Sequence, residues 1–433
     1  MSEVPLRVAV VGAGPAGLYT ADALTFDAEP AVEVDLLERL PVPFGLLRYG
    51  VAPDHLNIKA AGDTLQGVLE RDPVQLYCHV GIGSDVTVSE LRERYDAVVY
   101  AIGASQDRRL GIPGEELPGS SSATQFVNWY NGHPEQAGLD GLPATSVAVI
   151  GIGNVALDVA RLLLKDPEQL LHTDIPQPVI EVLRASAVTD VHIIGRRGAE
   201  HAKFTPKELK ELGELTGVDV VVDPLEIPAE DPEGAKPPTK RNLAVLREWA
   251  ARERTDARRR LHVHFGATPL AVLGEERVTG LRLSTGELPC QLVLRSVGYR
   301  SLPLPNVPFD DETGTIPSRS SRVVRDGEAA PGEYVVGWVR RGATGILGTN
   351  RSDAMDAVAS LHEDLPALLA RRTRAPEGIE GLLEERGLQH VDLQRWAAIV
   401  EREHAHGADH GRSRVKIADL AGLLDAAGLT RAL

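Results

Sequence analysis

The chain has 433 residues, too many for one ordinary domain and suited to two or three, since domains cluster at roughly 100–150 residues. Its 43% hydrophobic and 25% charged residues belong to a globular protein with sizeable cores, and its formal net charge of -16 argues against a nucleic-acid binder that works by neutralising phosphates. Two cysteines, Cys78 and Cys290, exclude a disulfide scaffold, a Cys-rich zinc module, an iron–sulfur cluster held by four thiolates of this chain, and a Cys-x-x-Cys redox centre.

The apolar stretch near the start lacks the basic flank and cleavage site of a secretory signal, and no apolar run is long enough to span a membrane; the expected location is a reducing cytoplasm. Residues 7–11 read RVAVV, an apolar strand that runs into GAGPAG and the helical pattern LYTADAL, placing Gly12-x-Gly14-x-x-Gly17 at a strand-to-helix turn. VEVDLLE supplies the next strand and ends in Glu38. A GxGxxG alone is often only a tight turn. Strand, glycine turn, helix, strand and terminal acid in succession compose a dinucleotide-binding unit. Gly12 makes the turn, Gly14 admits the pyrophosphate, Gly17 lets helix and strand pack, the helix N-terminus holds the pyrophosphate, and Glu38 accepts from a ribose hydroxyl.

Further along, YDAVVYAIGA at 95–104 predicts a strand with a small-residue turn, and GIPGEELPGS at 111–120 predicts a loop. A second unit opens with the strand SVAVI, followed by Gly151-Ile152-Gly153-Asn154-Val155-Ala156 and the helical LDVARLLL. The strand VHIIG at 191–195 then ends in Arg196-Arg197. Two arginines where an acid would bind a free 2′-hydroxyl favour a 2′-phosphate, hence NADP over NAD; the alternative is an arginine pair on a solvated strand end. The long gap between Gly151 and Arg196 is filled by KDPEQLLHTDIPQPVIEVLRAS, helical with Pro-bearing loops. Opposite acceptors in the two units imply two cofactors, FAD in the first and NADPH in the second. IPAEDPEGAKPPTK at 227–240 is a Pro-rich loop, LVLRSVGYRS a strand closing the second domain, and DGEAAPGEYVVGW at 326–338 leads into another strand. The expected arrangement is a discontinuous first domain, residues 1–105 and 331–433, around an inserted second domain, 106–330, with the chain mostly helical from Glu377 onward.

These segments, together with LPVPFGLLRYGVAPDH at 40–55, GEELPG at 114–119, GNVALDVAR at 153–161, IIGRRG at 193–198, FTPKEL at 204–209 and GWVRRGATGILGTN at 337–350, resemble the adrenodoxin-reductase-like ferredoxin–NADP reductases over essentially the whole length. The resemblance implies an α/β fold of two Rossmann-like, glutathione-reductase-like dinucleotide-binding domains, the NADP domain inserted into the FAD domain. It implies an NADPH-dependent flavoprotein that passes electrons through FAD one at a time to a small iron–sulfur ferredoxin. Carried over by motif, Ala16 and Glu38 would contact FAD, with Leu46 and Ile82 lining its site and Trp338, Gly345, Ile346 and Leu347 against the flavin. Ile152 to Val155, Arg196, Arg197 and Glu208 would bind NADPH, with Gly345 near the nicotinamide, and His55 and Glu211 would form a polar pair beside the redox centre. Ile152 replaces the glutamine of the family's QGNVALD, and Ala343 replaces the proline of GWVKRGPTGV; neither removes a motif.

NADPH delivers a hydride and a [2Fe–2S] ferredoxin takes single electrons; flavin can do both. The GATGILG turn opens the helical NRSDAMDAVASL, so its N–H groups and dipole favour negative charge at flavin N1 and O2. His55 precedes a helix and has a plain alternative as a helix-start residue; Glu211, on one helical face with Glu208, has a plain alternative as a surface carboxylate. Lys240, Arg241 and Arg247 make a local basic stretch that suits an acidic ferredoxin, or else a solvated helix balanced by Glu248 and Glu253. His404, His406 and His410 in HAHGADHG are expected in an exposed loop, since no acid or Cys ligand stands at a metal-site spacing. Two other readings are a glutamate-synthase small-subunit-like oxidoreductase, which carries an N-terminal cysteine-rich region where only Met1 to Leu6 precede the first strand here, and a non-catalytic FAD/NADP-binding regulator.

Overall fold

The computed structural model describes residues 5–26, 30–136, 141–372 and 378–429; Met1 and Glu377, named above, lie outside them. The chain begins with β1 (Leu6–Val11), α1 (Pro15–Thr25), β2 (Val32–Glu38), α2 (Gly45–Tyr49), α3 (Leu56–Lys59), α4 (Ala61–Leu69), β3 (Val74–Cys78), α5 (Val88–Arg94) and β4 (Ala97–Tyr100). It continues through β5 (Ser120–Ser122), α6 (Ala123–Asn131), β6 (Ser146–Ile150), α7 (Asn154–Leu164), α8 (Gln177–Arg184), β7 (Asp190–Ile194), α9 (Pro206–Leu212), β8 (Val218–Val222), α10 (Pro237–Ala251) and β9 (Arg259–His264). A meander of β10 (Pro269–Leu273), β11 (Gly280–Leu283) and β12 (Gly286–Pro289) precedes β13 (Leu292–Arg295). The last part holds β14 (Ser318–Arg319), β15 (Arg322–Arg325), β16 (Glu328–Val335), α11 (Trp338–Arg341), α12 (Leu347–Arg371), α13 (Glu380–Glu385), α14 (Leu393–Asp409) and α15 (Leu420–Ala426).

Two compact units result. The first comprises 1–106, 133–135 and 299–433; the second comprises 107–132 and 136–298. Residues 299–330, expected with the inserted domain, therefore belong to the first unit. The physical reason is a hairpin: β14 pairs antiparallel with β15, and β15 with β16, widening the first sheet. Ser320 and Ser321 turn it at φ +48 and +63, a conformation their residue type does not advertise.

The first unit is built on a seven-stranded sheet ordered β14-β15-β16-β4-β1-β2-β3. Its central strands are parallel, with Val8 opposite Val34 and Val10 opposite Val99. β1 is apolar without alternation because both its faces are covered. Val8 and Val10 join Leu18 of α1 and Leu361 of α12 in one core; Ala9 and Val11 join Leu91, Val98 and Val335 in another. The second unit has a six-stranded sheet ordered β5-β13-β6-β7-β9-β8, and the meander packs on the face carrying Ala148, Ile150 and Ile194. The expected histidine loop is instead helix: α14 runs through His404 and His406, and His410 caps it before Gly411 at φ +65. Histidine and alanine do not interrupt a helix, and its stop comes only with the glycine.

Candidate functional site

In the first unit, the turn after β1 is held where the sheet order reverses, between β4 and β2, the position at which open α/β sheets bind ligands. Gly12 has φ +111, and a Cβ there would stand 2.5 Å from the Ala101 carbonyl oxygen at the exit of β4. Gly14 caps α1 without a side-chain acceptor, leaving the first N–H groups of the helix for an anionic partner. Thr87, Ser122 and Thr205, by contrast, accept from the first turns of α5, α6 and α9. Glu38 ends β2 with Oε2 accepting from the Ala13 N–H at 3.0 Å and Oε1 from the Leu40 N–H at 3.0 Å. Burial pushes this carboxyl up, and the two backbone donors oppose that rise. Two of about four acceptor directions are filled, so the carboxylate is fixed in place with capacity left for a ribose hydroxyl.

Around this turn, Ala16 is buried and faces Gly337, where a Cβ would lie 2.7 Å from the Ala16 Cβ and 3.7 Å from Asn350 Oδ1. Gly337, at φ +71, is therefore where the N-terminal ends of α1 and α12 converge. Trp338 is half-buried beside Tyr299, ring centroids 5.5 Å apart, and Gly345 and Ile346 are exposed at the start of α12. Thr349 Oγ1 accepts from the Ile346 N–H at 3.1 Å, and Leu347 begins the helix. Leu46 is half-buried at the start of α2, and Ile82 is half-buried in an isolated bridge with Val86. His55 caps α3: its carbonyl accepts from the Ile58 and Lys59 N–H groups, each at 3.0 Å. The sequence reading missed Arg341, which ties the turn before α12 together through Thr344 O at 3.1 Å, Asn350 Oδ1 at 3.0 Å and an ion pair with Asp353.

The second unit repeats the device. Gly151 takes φ +142, and a Cβ there would overlap the Ser296 carbonyl oxygen at the exit of β13. Gly153 caps α7 without a side-chain acceptor, and a Cβ on it would meet nothing within 4 Å, so the space over the helix N-terminus is open. Ile152 and Val155 are half-buried; the Ile152 carbonyl accepts from the Lys203 N–H at 2.8 Å. Asn154 Oδ1 accepts from the Thr205 N–H at 2.8 Å, so its side chain anchors FTPKEL to the start of α7. Arg196 and Arg197 follow β7 fully exposed, and their guanidiniums enter no ion pair or hydrogen bond among the described residues. Glu208 is buried on α9, 3.8 Å from Arg161, which pairs with Asp158 at 2.8 Å. Glu211, one turn on, is half-exposed and pairs with Lys207 at 3.7 Å. Glu115 of GEELPG is a structural carboxylate, accepting from the Leu110 and Gly111 N–H groups at 2.8 and 2.7 Å and pairing with Arg295 at 3.1 Å. Lys240 and Arg241 on α10 are exposed and unpaired, whereas Arg247 is held by Pro228 O at 2.8 Å and Asp231 at 3.0 Å.

Each unit thus offers an uncapped helix start beneath a glycine turn, one beside a fixed carboxylate and one followed by two free guanidiniums. Both fit a dinucleotide, and the second fits one that bears an extra phosphate. A family profile described as pyridine nucleotide-disulphide oxidoreductase matches residues 6–214. The chain is 43% identical to NADPH-ferredoxin reductase FprA of Mycobacterium tuberculosis, over 97% of this chain and 98% of that protein. It is 40% identical to human mitochondrial NADPH:adrenodoxin oxidoreductase, over 95% of this chain and 90% of that protein. The solved structure of Mycobacterium tuberculosis FprA in complex with NADPH superposes with a TM-score of 0.91 at 41% identity, covering 98% of this chain and 99% of that one.

Proposed function

The chain belongs to the family of adrenodoxin-reductase-like ferredoxin–NADP reductases, and from that membership we propose that it oxidises NADPH and delivers the electrons singly to a small iron–sulfur ferredoxin, with FAD bound in the first unit and NADPH in the second. The observation that carries the reading is the pair of acceptors after the two glycine turns, a backbone-fixed Glu38 in one and the free Arg196 and Arg197 in the other. When bound, the flavin supplies the conversion of a two-electron donor into one-electron deliveries. The residues do the rest. Gly12, Gly14 and Gly17 open the first helix start to a pyrophosphate, Glu38 takes a ribose hydroxyl, and Ala16, Leu46, Ile82 and Trp338 shape the walls. The start of α12, with Gly345, Ile346 and Leu347, directs N–H groups toward negative charge on the isoalloxazine. Gly151, Gly153 and the half-buried Ile152, Asn154 and Val155 form the cradle of the second nucleotide. His55, Glu208 and Glu211 serve orientation and hydrogen bonding rather than nucleophilic attack, which hydride transfer does not require.

The family profile's disulphide has no counterpart in this chain. Cys78 and Cys290 are free and buried, and burial pushes the Cys78 thiol well up and the Cys290 thiol to about 12, so neither is a thiolate at neutral pH. Electrons therefore leave the protein from the flavin. Lys240 and Arg241 are the docking residues of this reading, and Arg247, committed to its own loop, is not. Among the described residues no helix is long and apolar enough to cross a membrane, and with two free thiols a reducing cytoplasm is the compartment we assign. Anaerobic mixing of the purified yellow protein with NADPH tests the proposal: the flavin absorbance should bleach rapidly with NADPH and far more slowly with NADH. A protein that keeps its colour under NADPH would be a binding regulator rather than a reductase.

A further inference from the structure

The chain after residue 378 enters the first unit through a buried ion network that the reaction above does not use. Glu403 of α14 is fully buried, and its carboxylate accepts from both terminal nitrogens of Arg48, from Arg414 Nε at 2.9 Å and from the Ile417 N–H at 3.0 Å. Burial works to raise this carboxyl, and the Arg48 and Arg414 guanidiniums outweigh it, so it lies below the ordinary range and stays ionised. Arg48 is the buried arginine of α2, its guanidinium 5.2 Å from the Tyr49 ring centre and 5.5 Å from that of Trp396. Lys416 Nζ donates to the Arg48 carbonyl at 3.2 Å. Trp396, also from α14, meets the Phe44 ring edge-on at 5.9 Å and donates from Nε1 to Gln66 Oε1 at 3.0 Å.

What α14 grips is a strained turn. Phe44 takes φ +79, an outlier for a bulky side chain that persists only where its surroundings over-determine it. Its N–H donates to the Ala13 carbonyl at 2.8 Å, and a Cβ on Gly45 would lie 3.1 Å from Gly14 Cα. The strained turn is therefore the back wall of the first glycine loop. We propose that Glu403 is a positioning residue for the first dinucleotide site, holding α2 through Arg48 so that Phe44 and Gly45 press on Ala13 and Gly14 and the bound FAD is retained. This rests on the reading of that site as the FAD site.

The test is Glu403→Gln in the FAD-loaded full chain, with FAD release followed by recovery of flavin fluorescence and with melting of apoprotein and holoprotein compared. Release should accelerate about tenfold, within what coupling through packed residues delivers, and the melting gap between holoprotein and apoprotein should narrow. A purely structural role lowers both melting points equally and leaves release unchanged, and that result overturns the proposal. Should Glu403→Gln not accumulate as folded protein, Trp396→Leu keeps the ion network and removes only the ring against Phe44; faster release there supports the proposal, and unchanged release overturns it. An unmodified chain that binds no FAD would remove the site reading and the proposal with it, a failure told apart by that control.

Discussion

Arg196 and Arg197 carry the choice between the two nicotinamide cofactors because nothing else in the protein competes for them. A guanidinium already paired would have to give up its partner to take a phosphate; these two exchange only water, and a charge-assisted bidentate contact follows. Replacing both by alanine should raise KM for NADPH by about 10–100-fold, the worth of one or two charged hydrogen bonds, with kcat largely kept and KM for NADH almost unmoved. Steady-state dye reduction with both nucleotides checks this, and an equal rise for NADH would show that the arginines support the fold rather than read the phosphate. This part of the site was legible from residues alone, since a glycine turn and the terminal residue of the next strand have fixed geometric duties. The network of Glu403 was not. Its members, Arg48, Glu403 and Arg414, are far apart in sequence and each looks like an ordinary surface charge until the fold brings them together.

Among the elements, β7 and β9 bring three histidines onto one sheet face. His192 Nδ1 and His264 Nε2 lie 3.1 Å apart, the His192 and His262 rings stack at 4.3 Å, and His262 Nε2 bonds Asp190 at 2.9 Å. Burial first, and then the neighbouring His262 and His264, hold His192 down at about 3; burial likewise lowers His264. An unfolded histidine titrates near 6.5, so between that value and about 3 the unfolded chain binds the proton that the folded chain refuses. The stability of the second unit is therefore full above about pH 6.5 and is lost as pH falls toward 3, by roughly 2–4 kcal/mol from His192. Melting at pH 7.5 and pH 5 should show this loss, and His192→Gln should shrink it; an unchanged difference would assign acid sensitivity elsewhere. Only His262 and His264 announce themselves as neighbours, by alternation along one strand; His192 joins them because β7 and β9 pair in parallel with His192 opposite His262. The hairpin of β14 and β15 was hidden for a related reason, its strands being two and four residues long and turned by serines.

At the scale of the molecule, a net charge of -16 repels an acidic ferredoxin at long range, so productive encounter depends on a local exception. Lys240 and Arg241 on α10 supply one, both exposed and uncommitted. Reversing both to glutamate should raise the apparent KM for ferredoxin several-fold and flatten its salt dependence, as rim charges act mainly on encounter, while NADPH-driven dye reduction stays the same. Unchanged ferredoxin kinetics would move the docking face elsewhere. The insertion of one unit into the other also sets a schedule for synthesis. β4 is paired on one side by β1 as soon as both emerge, but its other neighbour is β16, with Tyr334 opposite Val99. The ribosome must make the whole second unit first, which takes roughly 10–50 s at ~5–20 residues per second. During that interval the nascent first sheet presents an open edge to any passing strand, while the second unit already has every strand of its own sheet. Yield in a heterologous host should accordingly depend on elongation speed and on chaperones that shield β4.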